Sequence, residues 1–251
     1  MAPDTSIDAS FVTGGASGLG RAVCLRLAAR GDHVLVADRD ADGVAGTVAL
    51  VREAGGRADG VLLDVTDAAA VRDAVAAADA GRPLTTVVAC AGIARPTSAL
   101  DEDLTAFDAT MAVNVRGTYT VVQAAAAAMV PRGTGSIVTI GSTSSFTASS
   151  TPMLAYDMSK AAVRMLTQAA ARELGPHGVR VNGVAPGTMD TPLMRGLGAD
   201  DAAMSALAAD RIPLGRLGLP EEVAEAVAFV SSPEASYLTG HVLVVDGGWL
   251  A

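Results

Sequence analysis

Tyr156 and Lys160, in the run Ala155-Tyr156-Asp157-Met158-Ser159-Lys160, have the types and spacing of a proton-transfer pair. On a helix, residues four apart share a face, which sets an ammonium beside a phenol. A phenol in water titrates near pH ~10, too high for a useful base at neutral pH. A fixed positive charge beside it favours phenolate and lowers that value. The expected chemistry is reversible removal of a hydroxyl proton by Tyr156, with Lys160 holding the phenol pKa down.

Far upstream, Thr13-Gly14-Gly15-Ala16-Ser17-Gly18-Leu19-Gly20 stands between an apolar run and a helical segment. Glycine at 14, 18 and 20 lets a backbone turn tightly and approach a pyrophosphate without a Cβ clash. The helix that starts near Leu19 then offers free amides and its positive dipole end to the phosphates. Asp38 closes the second apolar run, where it accepts hydrogen bonds from both hydroxyls of an adenosine ribose and repels a 2′-phosphate. That favours NAD over NADP. Arg39 is the adjacent cation able to pair with such a phosphate, while Ser17 in the turn supplies no charge. Asp64-Val65 and Ala91-Gly92 end the third and fourth runs on the same side. Asp64 is expected at the adenine amino group, with a turn or helix-cap role as its alternative. Ala91 and Gly92 leave room for the adenosine.

These residues need a scaffold, and its elements are legible. Runs rich in Val, Leu and Ile at 8–13, 33–37, 58–63, 85–89, 136–140, 179–184 and 241–245 read as strands. Helical segments at 19–30, 41–54, 68–80, 104–130, 153–174 and 220–231 fill the gaps. Strands alternating with helices imply an α/β fold with a parallel sheet covered on both faces. No repeat or linker divides residues 1–251, so one domain is expected. Residues 188–216 break the rhythm with Pro192, Gly196, Gly198 and Pro213 around a short helical stretch at 200–210. Following the sixth strand, this segment reads as a substrate lid at the carboxyl edge of the sheet.

Composition narrows the class further. A formal net charge of −9 argues against a broad nucleic-acid surface, which needs clustered Lys and Arg. The longest apolar stretch, 121–130, is too short to span a bilayer, and the amino terminus lacks a signal-peptide pattern. A soluble cytoplasmic protein is expected. Cys24 and Cys90 have no paired spacing, and His33, His177 and His241 are scattered, so neither a disulfide framework nor a protein metal site is expected.

Across nearly its whole length the chain resembles the short-chain dehydrogenase/reductase family, in its single-domain NAD-preferring branch. The turn matches T-G-x-x-x-G-x-G, and Tyr156 with Lys160 matches Y-x-x-x-K. Asn114 in Met111-Ala112-Val113-Asn114-Val115 and Ser142 in Ile140-Gly141-Ser142 match the two other tetrad positions. The run from Arg180 through Pro186-Gly187, with Thr188 and Thr191 after it, resembles the family segment at the nicotinamide. The resemblance implies a three-layer Rossmann fold with a seven-stranded parallel sheet. It also implies hydride transfer between NAD(H) and a secondary alcohol or ketone, with Tyr156 as general acid/base. Ser142 would hold the substrate oxygen, Lys160 the nicotinamide ribose, and Asn114, at a helix bend, a relay water beside Lys160.

Two departures stand out. Ala89-Cys90-Ala91-Gly92 replaces the family's N-N-A-G, which is expected to loosen a link between neighbouring strands and to leave Cys90 as a small buried residue. The serine region is one residue longer than usual, making Ser144 the alternative substrate-contacting hydroxyl. With Thr151, Met153, Met189, Leu193, Met194 and Leu197, the pocket reads as mostly apolar. It suits a neutral, moderately hydrophobic alcohol or ketone such as a cyclic alcohol or diol, with a sugar-type polyol as the alternative. An NADP-dependent 3-oxoacyl-carrier-protein reductase is the alternative within the family, and a redox-silent nucleotide-binding sensor or scaffold the alternative outside it. By resemblance the long helices at 104–130 and 153–174 form a homotetramer or homodimer. Trp249 and Leu250 would extend that contact or line a neighbour's pocket.

Overall fold

A computed structural model describes residues 8–198 and 200–251. Seven strands run in parallel in the order β3-β2-β1-β4-β5-β6-β7. These are β1 (Ala9–Thr13), β2 (His33–Asp38), β3 (Arg57–Leu62), β4 (Leu84–Ala89), β5 (Gly135–Ile140), β6 (Val179–Pro186) and β7 (Val242–Val245). The chain crosses between them through α1 (Gly18–Arg30), α2 (Ala41–Glu53), α3 (Ala68–Gly81), α4 (Thr105–Met111), α5 (Thr118–Met129) and α6 (Leu154–Leu174). The excursion after β6 carries α7 (Pro192–Arg195) and α8 (Asp201–Arg211), and α9 (Pro220–Ser231) leads back to β7.

Two apolar clusters show why the sheet is sandwiched. Successive strand side chains point to opposite faces, so Phe11 joins one cluster and Val12 the other. Phe11 packs on the side holding Val71 and Val75 of α3, Val121 and Val122 of α5 and Ala170 of α6. Val12 packs on the side holding Val23 and Leu27 of α1, Val48 of α2 and Val227 of α9. Three layers with a seven-stranded parallel centre are the architecture expected from the alternating runs. The strand order reverses direction between β1 and β4, and the carboxyl ends there open the crevice that binds ligands in such sheets.

The helical segment read as continuous at 104–130 is interrupted. Between α4 and α5, Ala112–Gly117 form a π-turn, centred on Asn114. Single π-turns inside helices mark places where a side chain is re-aimed, often at functional sites. Gly117 is required here, because a Cβ on it would meet Val65 Cγ2 at 2.9 Å.

Candidate active site

The glycine turn is built for close backbone approach. Gly14 and Gly18 hold φ of +72° and +50°, the left-handed region that favours glycine. A Cβ on Gly14 would stand 2.8 Å from the Ala91 backbone, and one on Gly20 only 1.9 Å from the Gly14 carbonyl oxygen. The turn is also fastened from inside. Thr47, fully buried, donates to the Gly15 carbonyl at 2.9 Å and accepts from Arg21 Nε at 3.0 Å, while Arg21 Nη2 donates to the Ala16 carbonyl. Sequence reading missed Arg21 and Thr47; one basic residue in the first turn of α1 was the available signal. Ser17, the N-cap of α1, makes no side-chain cap bond, and no acidic residue occupies the first helical turn. The positive end of a 13-residue helix thus faces the crevice with no acidic residue in its own first turn.

Asp38 ends β2 at the rim of this turn. One carboxylate oxygen accepts from the Ala16 amide at 3.2 Å and the other from the Asp40 amide at 3.1 Å, so the residue shapes the turn as well as lining the cavity. Arg39 beside it is exposed and lines the same cavity. Asp64 accepts from the Thr66 amide and hydroxyl at 2.9 and 2.8 Å. The Thr66 amide, then its hydroxyl, hold the Asp64 carboxyl below its usual value. Its turn role is therefore real, and it still lines the cavity. Val65 is buried against the π-turn.

The expected loosening beside Cys90 is offset within the chain. Thr13 Oγ1 accepts from the amides of Cys90 and Ala91 at 3.1 and 3.2 Å, tying β1 to the end of β4. Cys90 itself is half-buried along the cavity rather than sequestered in the core. Burial raises its thiol to about 12, with the Lys160 ammonium pulling the other way, so it is a neutral thiol at physiological pH.

Ser142, Tyr156 and Lys160 converge at the carboxyl end of β5. Ser142 caps the short turn Thr143–Ser145, accepting from the Ser144 amide at 3.1 Å, while Ser145 Oγ accepts from the Ser142 amide and donates to the Lys160 carbonyl at 2.8 Å. The loop is thereby pinned to α6 opposite Tyr156. Lys160, 7% exposed, donates through Nζ to the Ile140 carbonyl at 2.9 Å and lies 5.6 Å from the Tyr156 ring centroid. Burial brings the ammonium down to about 8.

The phenol pKa corrects the reading from spacing alone. Burial raises it above its ordinary value, a hydrogen bond with Ser142 pulls it down, and the Asp157 charge raises it again. Desolvation of the phenol outweighs the Ser142 bond, and the Lys160 ammonium is directed at the β5 carbonyl.

Asn114 has a structural role that the motif alone does not show. Its Oδ1 accepts from the Ile93 amide at 2.8 Å, and its Nδ2 donates to the Ile93 carbonyl at 2.9 Å and to Ser159 Oγ at 3.0 Å. Ser159, fully buried, donates to the Tyr156 carbonyl at 2.7 Å. The amide makes three bonds, so its side chain braces the β4 loop against the tyrosine turn.

Ser142, Tyr156 and Lys160 border one cavity of about 880 Å³ with the glycine turn, while Asn114 stands behind its wall and is not part of the lining. The cavity is lined by Gly14, Gly18 and Asp38 at one end and by Ser142, Ser144 and Tyr156 at the other. Pro186, Gly187, Thr188 and Thr191 bridge the ends. A Cβ on Gly187 would meet Asp246 Cα at 2.7 Å, which keeps this crossing backbone against the strand after it. Met153, Met189, Leu193, Met194, Leu197 and Thr151 also line the cavity. Trp249 lines this cavity in its own chain. Thr191 caps α7 through the Met194 amide, and Pro192 Cδ lies 3.6 Å from where a Gly18 Cβ would be. The segment after β6 thus stands over the glycine turn.

A structure of a short-chain type dehydrogenase/reductase from Mycobacterium marinum superimposes with a TM-score of 0.91 at 37% identity, covering 98% of this chain and 96% of that one. A family model described as enoyl-(acyl carrier protein) reductase matches residues 14–250. The chain is a short-chain dehydrogenase/reductase. Among its curated relatives is 2,5-dichloro-2,5-cyclohexadiene-1,4-diol dehydrogenase of Sphingobium indicum, 40% identical over 96% of this chain and 95% of that protein. A solved structure from Beutenbergia cavernae, 37% identical with a TM-score of 0.91 over 97% of this chain and 96% of that one, carries bound NADP at low occupancy. The family is one of oxidoreductases, and its members include alcohol and diol dehydrogenases. Among the described residues no helix is long and apolar enough to cross a membrane.

Proposed function

We propose that this short-chain dehydrogenase/reductase interconverts a neutral secondary alcohol and its ketone, with NAD(H) as the hydride carrier. One observation carries the reading: the Ser142, Tyr156 and Lys160 group opens into the same cavity as a glycine turn with no room for a Cβ at Gly14 or Gly20. The residues fit a dinucleotide. Gly14, Gly18 and Gly20 with Ser17 and Leu19 would hold the pyrophosphate at the start of α1. Asp38 would meet the adenosine ribose, Asp64 and Val65 the adenine, and Ala91 and Gly92 the adenosine face. Pro186, Gly187, Thr188 and Thr191 would flank the nicotinamide. When bound, that ring supplies a carbon that accepts or returns hydride.

The remaining work belongs to the chain. In oxidation the Tyr156 phenolate removes the hydroxyl proton, and in reduction the phenol returns it; such positioned transfer contributes roughly 10²–10⁴-fold. Ser142 donates to the substrate oxygen and stabilises charge developing there. Lys160 places positive charge at the β5 carboxyl end, beside Gly92, where a Cβ would lie 3.7 Å from Nζ. Asn114 holds the tyrosine turn in register through Ser159. Met153, Met189, Leu193 and Met194 exclude water from the reacting centre, under residues 188–216 acting as a lid.

The NAD preference rests on the Asp38 carboxylate, which repels a 2′-phosphate; Arg39 opposes it from the next position. Self-association as a homotetramer or homodimer is supported by apolar exposure on the helices read for it: Leu104 at the start of α4, Tyr119 on α5, and Met158 and Met165 on α6. Light scattering after gel filtration tests that assembly, and a monomer at micromolar concentration would overturn it. The activity is tested with a panel of secondary alcohols and ketones followed at the nicotinamide absorbance with NAD(H) and NADP(H). No turnover with either cofactor would remove the reading.

A further inference from the structure

A second hydroxyl chain at the substrate end of the cavity has no part in the proton transfer above. Asp157, in the first turn of α6, accepts twice from Ser149: amide to Oδ2 at 2.9 Å and hydroxyl to Oδ1 at 2.7 Å. Ser149 Oγ lies 3.2 Å from Ser144 Oγ. An ionised carboxylate only accepts, and a hydroxyl has a single proton to give. Ser149 has given its proton to Asp157, so the bond between the two serines must carry the proton of Ser144. Ser144 lines the cavity and therefore turns only lone pairs towards a bound molecule. Ser142, two residues earlier, has the opposite polarity. Its oxygen already accepts from the Ser144 amide, which leaves its proton to give to the reacting oxygen.

We propose that Ser144 is a specificity-determining acceptor for a second hydroxyl on the substrate, with its polarity imposed by Asp157 through Ser149. The substrate class is then a diol or hydroxy-alcohol rather than a simple secondary alcohol. This rests on the dehydrogenase reading and narrows it. Met153, Met189, Leu193 and Met194 make much of the surrounding wall apolar, so one polar contact there has large leverage. A site built to bond a hydroxyl discriminates against the analogue lacking it far more strongly than an apolar pocket distinguishes a methylene.

The test uses the full chain with NAD and a matched panel: cyclohexanol, the cis and trans 1,2-, 1,3- and 1,4-cyclohexanediols, and their monomethyl ethers. The expected result is at least one diol whose kcat/KM exceeds that of cyclohexanol and of its own monomethyl ether by about tenfold or more. Ser144→Ala should bring the diol-to-cyclohexanol ratio close to one. Asp157→Asn presents an amide that donates to Ser149 and lets the chain reverse. That variant should shift the ratio from diol towards monomethyl ether, with Ser149→Ala shifting it the same way. A purely structural role would lower all substrates together and leave the ratios fixed. Equal use of diol and cyclohexanol by the native protein, or ratios unmoved in all three variants, overturns the proposal while leaving the dehydrogenase reading intact. Turnover of no panel member counts against the dehydrogenase reading itself, and this proposal falls with it.

Discussion

Lys160 donates from its ammonium to the Ile140 carbonyl at 2.9 Å, so the cation of the catalytic group is anchored to the end of β5 rather than to the phenol four residues away. Burial of that ammonium lowers its pKa to about 8 from an ordinary 10.5. Between these values the unfolded chain retains a proton that the folded chain has released, and stability from this group rises with pH. The cost of burying the charge is fully present below pH 8. We expect the unfolding free energy of the native protein, measured against Lys160→Met in urea, to rise by on the order of 2 kcal/mol from pH 8 to pH 10. A flat difference across that window would show that the ammonium is not desolvated. Staying below pH 10 keeps Tyr156 out of the comparison, because its raised pKa acts only above that value.

Tyr156→Phe removes the acid/base oxygen while preserving the ring. Turnover in both directions should fall at least 10²-fold, with NADH affinity within a few-fold of native by fluorescence titration. The raised phenol pKa also sets the pH dependence. Phenolate is scarce at neutrality, so kcat/KM for alcohol oxidation should climb with pH through the alkaline range, and ketone reduction should fall. A pH-independent oxidation rate would assign the proton to another group.

What the sequence shows of this site depends on whether spacing or depth decides the property. The shared face of Tyr156 and Lys160 follows from 3.6 residues per turn, and the turn glycines follow from their place between an apolar run and a helix. The direction of the phenol shift does not, because desolvation depends on how α6 seats against β5. The brace role of Asn114 was equally hidden: its partners Ile93 and Ser159 lie 21 and 45 positions away and meet only through the π-turn. Trp249 enters its own cavity because the chain after β7 passes over the glycine pair Gly247 and Gly248 at φ of +65° and +94°, a path no helical or strand period encodes. Thr13 ties β1 to the end of β4 through the Cys90 and Ala91 amides, 77 and 78 positions away, a contact no local spacing encodes.

Asn114→Ala should cost stability and precision together. It leaves the Ile93 amide and carbonyl and the Ser159 hydroxyl without their partner in a buried place, and each unpaired group costs about 1–3 kcal/mol. Loss of several degrees in Tm is expected. Asn114→Asp should recover the Oδ1 acceptor but not the two donated bonds, and so restore little. A variant of native Tm and native kcat would show that the tyrosine turn needs no brace.

Gly20→Ala separates cofactor cradle from general helix preference. Alanine is the better helix former, yet its Cβ would sit 1.9 Å from the Gly14 carbonyl oxygen, so the turn must open. NADH affinity should drop at least tenfold. Gly46→Ala in α2, whose Cβ meets nothing nearer than 4.0 Å, should keep native affinity and gain about 0.5–1 kcal/mol. Equal behaviour of the two variants would dismiss the turn as a binding element.

Asp38 and Arg39 oppose one another at the adenosine end, and their balance decides the cofactor. Asp38 is held by the Ala16 and Asp40 amides, which fixes its negative charge over the crevice. Arg39 is exposed, and a solvated cation contributes little to a discrimination made at close range. The carboxylate should therefore win, with NADH binding tighter than NADPH in titration. Asp38→Asn retains one acceptor for the turn and removes the charge. Discrimination between the cofactors should then shrink by about tenfold, equivalent to about 1.4 kcal/mol. Arg39→Ala should widen it. Tighter NADPH binding by the native protein would reverse the assignment and make Arg39, rather than Asp38, the residue that chooses.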